Sequence, residues 1–339
     1  MIATTFGDMS QRLALQRHGT DLKRSVTTLS QELTTGITKD KSRKVNGEFS
    51  MLAGVNNAIE MASARKAGAR FAELIFASQQ TILADLGNQA QTGFLEELSR
   101  SANPSEAEIS RGIDVMEARF RNAVAQLNTH IAGRALFAGT ATDGAALAAA
   151  DLMLDEIFND MMTAYPTGLD ADMASMFIAS WFADGGQFDT SGYLGGSQIP
   201  SRLDLGGGAT VGLELTAQDQ SFRQLLGAFA TGAILSRGVF EADQDQQKAM
   251  FRHASQSLAV SHLGLVELSA RLGIEEERVS NARARAEAEH TAMSIARVEL
   301  MEADPYETAV RLEQAMTQLD LIYTLTARLS RLNLANYLR

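Results

Sequence analysis

The sequence predicts a mainly α protein, a long antiparallel helical rod of paired N- and C-terminal coiled-coil helices with a small α+β insert domain. Three observations carry that expectation. Both ends of the 339-residue chain place apolar residues at spacings of three and four. A seven-residue apolar period runs without a slip from Phe251 to Leu300. Glycine gathers between these helical regions, with nine of the chain's 27 in residues 184 to 212.

The N-terminal pattern is Leu15, Leu22, Val26, Leu29 and Leu33, and the helix it marks runs from about Asp8 to Leu33. It stops near Gly36, where glycine suits a left-handed cap. The polar stretch that follows holds the basic run Lys39, Lys41, Arg43 and Lys44, expected as a solvated loop. Asn46-Gly47 is a turn signal. A helix is expected from Leu52 to Arg100, with Ile59, Phe71, Leu74, Ile75, Ile82, Leu86 and Leu98 on its broad apolar face.

Asn103-Pro104-Ser105-Glu106 predicts the next helix start, with Asn103 as cap, Pro104 at the first position and Glu106 closing a capping box. That helix carries Ile109, Ile113, Met116, Phe120, Val124, Leu127 and Ile131 and is expected to end between Gly133 and Gly139. From 141 to 240 the character changes. Leu147–Met162 and Met173–Phe182 suggest shorter helices. Arg202–Leu205 and Thr210–Thr216 alternate with period two, which predicts a hairpin across Gly206-Gly207-Gly208.

Beyond 240 the chain returns to helix. Phe251, Leu258, Leu265, Leu272, Val279, Ala286, Met293 and Leu300 repeat every seven residues, and small residues dominate a second row three positions on. Such a period implies shallow left-handed helix packing. Asp304-Pro305-Tyr306-Glu307 then ends one helix and starts the last. The terminal helix has two apolar stripes: Leu312, Met316, Leu319, Ile322, Tyr323, Thr326 and Leu329 on one side, and Leu321, Leu325 and Leu332 on the other. A helix apolar on two sides needs two neighbours. The N-terminal helix of the same chain supplies one of them.

Five segments follow: an N-terminal coiled-coil segment 1–45, rod halves 46–140 and 241–303, the insert 141–240, and the C-terminal coiled-coil helix 304–339. The expected assembly interface is Leu15, Leu22, Val26, Leu29, Leu33, Leu312, Met316, Leu319, Ile322, Tyr323, Leu325, Leu329 and Leu332.

Chemistry is hard to find. A net charge of −11 argues against a nucleic-acid partner, since phosphate binding needs a dense cationic surface. The chain has no cysteine, which excludes disulfides and thiolate metal sites. His18, His130, His253, His262 and His290 show no pair at three or four residues' spacing and are expected to be satisfied or solvated. The triple glycine lacks the frame of a phosphate cradle, and there is no nucleophile elbow. No catalytic residue, metal or cofactor is expected, and the chain is not expected to be an enzyme. The first residues lack the basic start and apolar run of a secretory signal, and no apolar run reaches membrane-spanning length.

Three segments resemble the flagellin-like axial proteins of the bacterial flagellum. Leu29-Ser30-Gln31-Glu32-Leu33-Thr34-Thr35-Gly36 is similar to that family's "LSTG" segment. Gly133-Arg134-Ala135-Leu136-Phe137-Ala138-Gly139-Thr140 is close to its "GRYLFAGT" run. The third is Ala303-Asp304-Pro305 through the tail Leu329 to Leu338. The "LFAGT" run and the Asn336-Tyr337-Leu338 ending lean towards the hook–filament junction members. The loop after "STG", which in the family contains two aspartates and a proline, reads Lys39 to Gly47 here.

The resemblance implies a structural subunit assembled through its terminal helices. It implies partners among the other axial proteins (the hook-side junction protein and flagellin), further copies of the chain, and an export chaperone on the C-terminal helices. It also implies an extracellular place on the flagellum, reached through type III export with the signal in residues 1–45 left uncleaved. A self-polymerising flagellin, or a cytosolic or secreted helical scaffold, are the alternatives.

Overall fold

The computed structural model describes residues 3–39, 49–101, 104–197, 202–204, 210–212 and 215–337. The described chain is mainly α, as the periodicity predicts. Its helices are α1 (Ala3–Thr35), α2 (Ser50–Gln89), α3 (Gly93–Arg100), α4 (Glu106–Leu127), α5 (Ala150–Ala164), α6 (Ala171–Trp181), α7 (Gln220–Ala233), α8 (Gln244–Met301) and α9 (Pro305–Tyr337). Two antiparallel hairpins join β1 (His130–Ile131) to β2 (Arg134–Ala135) and β3 (Arg202–Asp204) to β4 (Thr210–Gly212). The second is the hairpin that the alternation predicts, with Leu203 opposite Val211.

Local departures have local reasons. The helix expected from Leu52 to Arg100 is broken after Gln89 and restarts at Gly93. There Thr92 donates its hydroxyl to Glu96 at 2.7 Å. The next helix starts two residues later than expected. Ser105, not Asn103, is the cap, and Glu108, not Glu106, closes the box. The Glu108 carboxylate accepts the Ser105 N–H at 2.7 Å, while the Glu108 N–H donates to the Ser105 hydroxyl at 3.3 Å. Asn103 lies outside the described residues, as do Lys41, Arg43, Lys44 and Gly206–Gly208.

The helix expected to reach Ile131 stops at Leu127 instead. The chain then turns through Ala132 and Gly133, both with positive φ (51° and 78°), the conformation a two-residue hairpin requires. An alanine in this position gives no sequence signal.

The chain divides into two compact units, residues 1–63 with 287–339, and residues 64–286. In the first, α1 and α9 pack antiparallel. Gly19 faces Ile322, while at the other end the Ala303 N–H donates to the Gly36 carbonyl at 2.8 Å.

In the second unit one core gathers residues from Ala69 to Ala282. Phe76, Phe120, Phe137, Phe188, Phe222, Phe229 and Phe251 are all fully buried there. The seven-residue row of α8 is the buried seam: Phe251, Leu258, Leu265, Leu272 and Val279 all face inward. Helix α7, which no periodicity announces, is buried along nearly its whole length. Its Gly232 packs on α4, where a Cβ would fall 2.6 Å from Met116 Cγ. A side chain at that position would force the two helices apart.

Ion pairs tie the outer layers of this unit together. Arg237 reaches Glu117 at 2.6 Å, Asp155 at 2.8 Å and Asp151 at 3.2 Å, and Arg121 bridges Glu117 and Asp151. The Arg121 hydrogen bond holds the Asp151 carboxyl below its usual range. Deeper in, Arg223 on α7 is almost fully buried and pairs with Asp189. Its guanidinium lies 5.1 Å from the Phe188 ring centre and donates to the carbonyls of Gln218 and Ala183.

Candidate assembly interface

The expected interface residues divide into two sets. Leu22 and Leu29 of α1 meet Ala315 and Ile322 of α9 in one apolar cluster, with Val26, Leu312 and Leu319 packed half-buried against it. Leu15 is also half-buried. On α9 this seam steps through 312, 315, 319 and 322, the alternation of threes and fours that a coiled-coil seam uses. Ala315 is a seam member that the sequence pattern does not single out, because alanine scores as apolar on any face.

The second set stays open to solvent, although Lys23 Nζ of α1 lies 5.4 Å from the Tyr323 ring centre. Leu33 is exposed, and so are Met316, Tyr323 and Leu325, by 54%, 49% and 49%. Leu321, grouped with Leu325 on the second stripe, is exposed too. The side chains of Leu329 and Leu332 lie outside the described residues. The terminal helix thus spends part of its first stripe on α1, and leaves Met316 and Tyr323 of that stripe, with Leu321 and Leu325 of the other, exposed.

Glu32 accounts for the exposure of Leu33. It is buried where a strict seven-residue repeat would place Leu33, and its Oε1 accepts the Lys39 N–H at 2.6 Å and the Thr38 hydroxyl at 3.3 Å. Past Gly36, with its φ of 69°, the chain runs beside residues 301–303. Ile37 and Glu302 form an antiparallel bridge, and the Thr38 N–H donates to the Met301 carbonyl at 2.9 Å. Asp304 then caps α9, accepting the N–H groups of Tyr306 at 2.8 Å and Glu307 at 3.1 Å, as the sequence predicts. Beside this junction is a polar groove of about 450 Å3, lined among others by Arg24, Thr28, Glu32, Asp304, Glu307 and Arg311.

The segment ending at Gly36 and the Ala303-Asp304-Pro305 segment, far apart in sequence, are therefore bonded to each other. The third, Gly133–Thr140, does different work inside the second unit. Phe137 is fully buried edge-on to Phe222, with ring centres 5.5 Å apart, and its carbonyl accepts the Ala217 N–H. The Ala138 carbonyl accepts the Gly196 N–H at 2.9 Å. Gly139 has a φ of 60°, and a Cβ there would lie 2.9 Å from the Gly196 carbonyl oxygen. This run is a packing hub.

Nothing resembling a reaction centre gathers among the described residues. His253 Nε2 lies 2.7 Å from Asp172 Oδ1, beside an apolar groove of about 500 Å3 that Met176, Phe182 and Val260 help to line. Among the described residues no hydroxyl is bonded to the other ring nitrogen. No group of three His, Asp or Glu side chains among them could hold a metal ion, and no described helix is long and apolar enough to cross a membrane.

Residues 262–338, the end of α8 and nearly all of α9, match the family described as the bacterial flagellin C-terminal helical region. No curated protein matches the chain. Among solved structures, one from Vibrio parahaemolyticus, assigned as a flagellar hook-associated protein, is similar at 12% identity and a TM-score of 0.41. It covers 71% of this chain and 95% of its own. The C-terminal match supports a flagellin-like axial protein, a structural component of the flagellum.

Proposed function

We propose that the chain is the adaptor at the hook–filament junction, of the hook-associated protein 3 kind, joining the hook-side junction protein to the first flagellin subunits. The observation that carries the reading is the state of α9. It lies within the flagellin-like region, pairs with α1 along one stripe, and keeps Met316, Leu321, Tyr323 and Leu325 exposed. In this reading those exposed residues are buried against neighbouring axial subunits, and apolar burial worth about 25 cal/mol per Å2 drives assembly without any reaction. Before assembly an export chaperone covers the same helix, and the chain leaves the cell by type III export without losing its N-terminus.

A flagellin that builds the filament itself is the second reading, favoured by the family that the C-terminal match names. One experiment separates the two. A deletion strain is imaged by electron microscopy while flagellin is assayed in the medium. Bare hooks with abundant shed flagellin are the expected result. Filaments and their major protein vanishing together would make the chain flagellin, and unchanged filaments would overturn the flagellar assignment.

A further inference from the structure

Three glutamines on α2 have a buried side-chain oxygen with no hydrogen-bond partner among the described residues: Gln79, Gln80 and Gln89. For two of them the amide can simply be turned over. Gln80 meets the Ser269 hydroxyl, which donates as readily as it accepts. Gln89 meets the Gln126 side-chain amide, which can turn with it.

Gln79 has no such freedom. Its Nε2 donates to the Leu136 main-chain carbonyl at 3.2 Å, and a carbonyl only accepts. Turning the amide would set two oxygens against each other, so Oε1 must face away from Leu136. The residue is 1% exposed, and a buried acceptor of this kind requires a donor. Gln79 lines a small cavity of about 20 Å3 together with Ile131, Arg134, Leu136, Gly139 and Leu215, among others. Arg134 is the one charged residue in that lining. The volume suits one water molecule, which needs about 10–15 Å3 measured in this way, and the lining is polar enough to hold it.

We infer that this cavity is a built site for a single water, which donates to Gln79 Oε1 and is held from its other side by the Arg134 region of the β1–β2 hairpin. The water then links α2 to the hairpin and to the Gly139 turn, completing the packing hub around Leu136 and Phe137.

The test is a high-resolution crystal structure of the full chain, paired with NMR detection of long-lived water near the Gln79 side-chain amide. An ordered water within hydrogen-bond distance of Gln79 Oε1 and of a second group in the cavity is the expected result. In Gln79→Met, which keeps the length and removes the acceptor, that peak and its NMR contact are lost. A dry cavity in the unaltered protein, or a protein donor seated on Oε1, overturns the inference even if the variant does not fold.

Discussion

The α1–α9 pair and the core of the second unit are both apolar packings, but they bury their side chains to different depths. In the second unit seven phenylalanines are sealed from solvent, and nearly all of helix α7 is submerged. In the helix pair the best-buried apolar side chains are two leucines, an alanine and an isoleucine, each still 7–9% exposed, while the far side of α9 is apolar and open. The first arrangement is complete in one chain. The second is half of a packing problem, since a helix with apolar residues on two sides is covered by one neighbour on only one of them.

Substitutions should sharpen that contrast or break it. Phe137→Ala should have the largest effect, about 3–5 kcal/mol lost in the second unit, because it removes a fully buried ring packed edge-on to Phe222 and leaves a cavity. A fall in thermal midpoint measured by circular dichroism would show it. A near-neutral result would mean that the core is far looser than its burial indicates.

Arg223→Met comes next, at about 3 kcal/mol, because it leaves Asp189 without its cation. It also changes the pH response. Burial pushes the Asp189 carboxyl up, but Arg223 together with the Gly185 N–H and Gln218 outweighs it and holds the group below its ordinary value. The stability this confers is fully present above the unfolded-state value near pH 4. It is lost as pH falls through the lower folded value. Urea titrations across that window should show the slope in the natural protein and a weaker one in the variant.

Ile322→Ala should cost about 2 kcal/mol, at the low end for such a truncation because the site borders solvent. The loss should be local. Hydrogen exchange should quicken along the α1–α9 seam while amides around Phe222 keep their protection, and equal quickening in both places would show that the two packings open together.

Leu325→Asp should change the stability of the isolated chain least, within about 0.5 kcal/mol, since the side chain is exposed. In the proposed function it nonetheless prevents incorporation after normal export. Leu319→Asp is a blunter probe, because Leu319 also packs on the intramolecular seam. Full incorporation of the Leu325 variant in motile cells would show that the open stripe is not a docking face.

The sequence by itself determined what depends on neighbours a turn or two away. The seven-residue row from Phe251 to Val279 became a buried seam because a regular helix repeats its faces. Asp304 and Gly36 became helix ends because capping is local chemistry. The two stripes of α9 were equally plain.

Tertiary structure decided which of several locally equal choices prevailed. The antiparallel register of α1 against α9 recruited Ala315 to the seam and let Glu32 turn inward, pinning the following turn while Leu33 went to solvent. Overlapping cap signals at Asn103 and Ser105 were resolved by the reciprocal bonds that only Glu108 completes. Helix α7 was illegible because burial on nearly every side erases the apolar–polar contrast that periodicity needs, and its Gly232 serves a close contact with α4. A one-dimensional pattern records which residues avoid water; which surfaces they meet depends on the packing of segments distant in the chain.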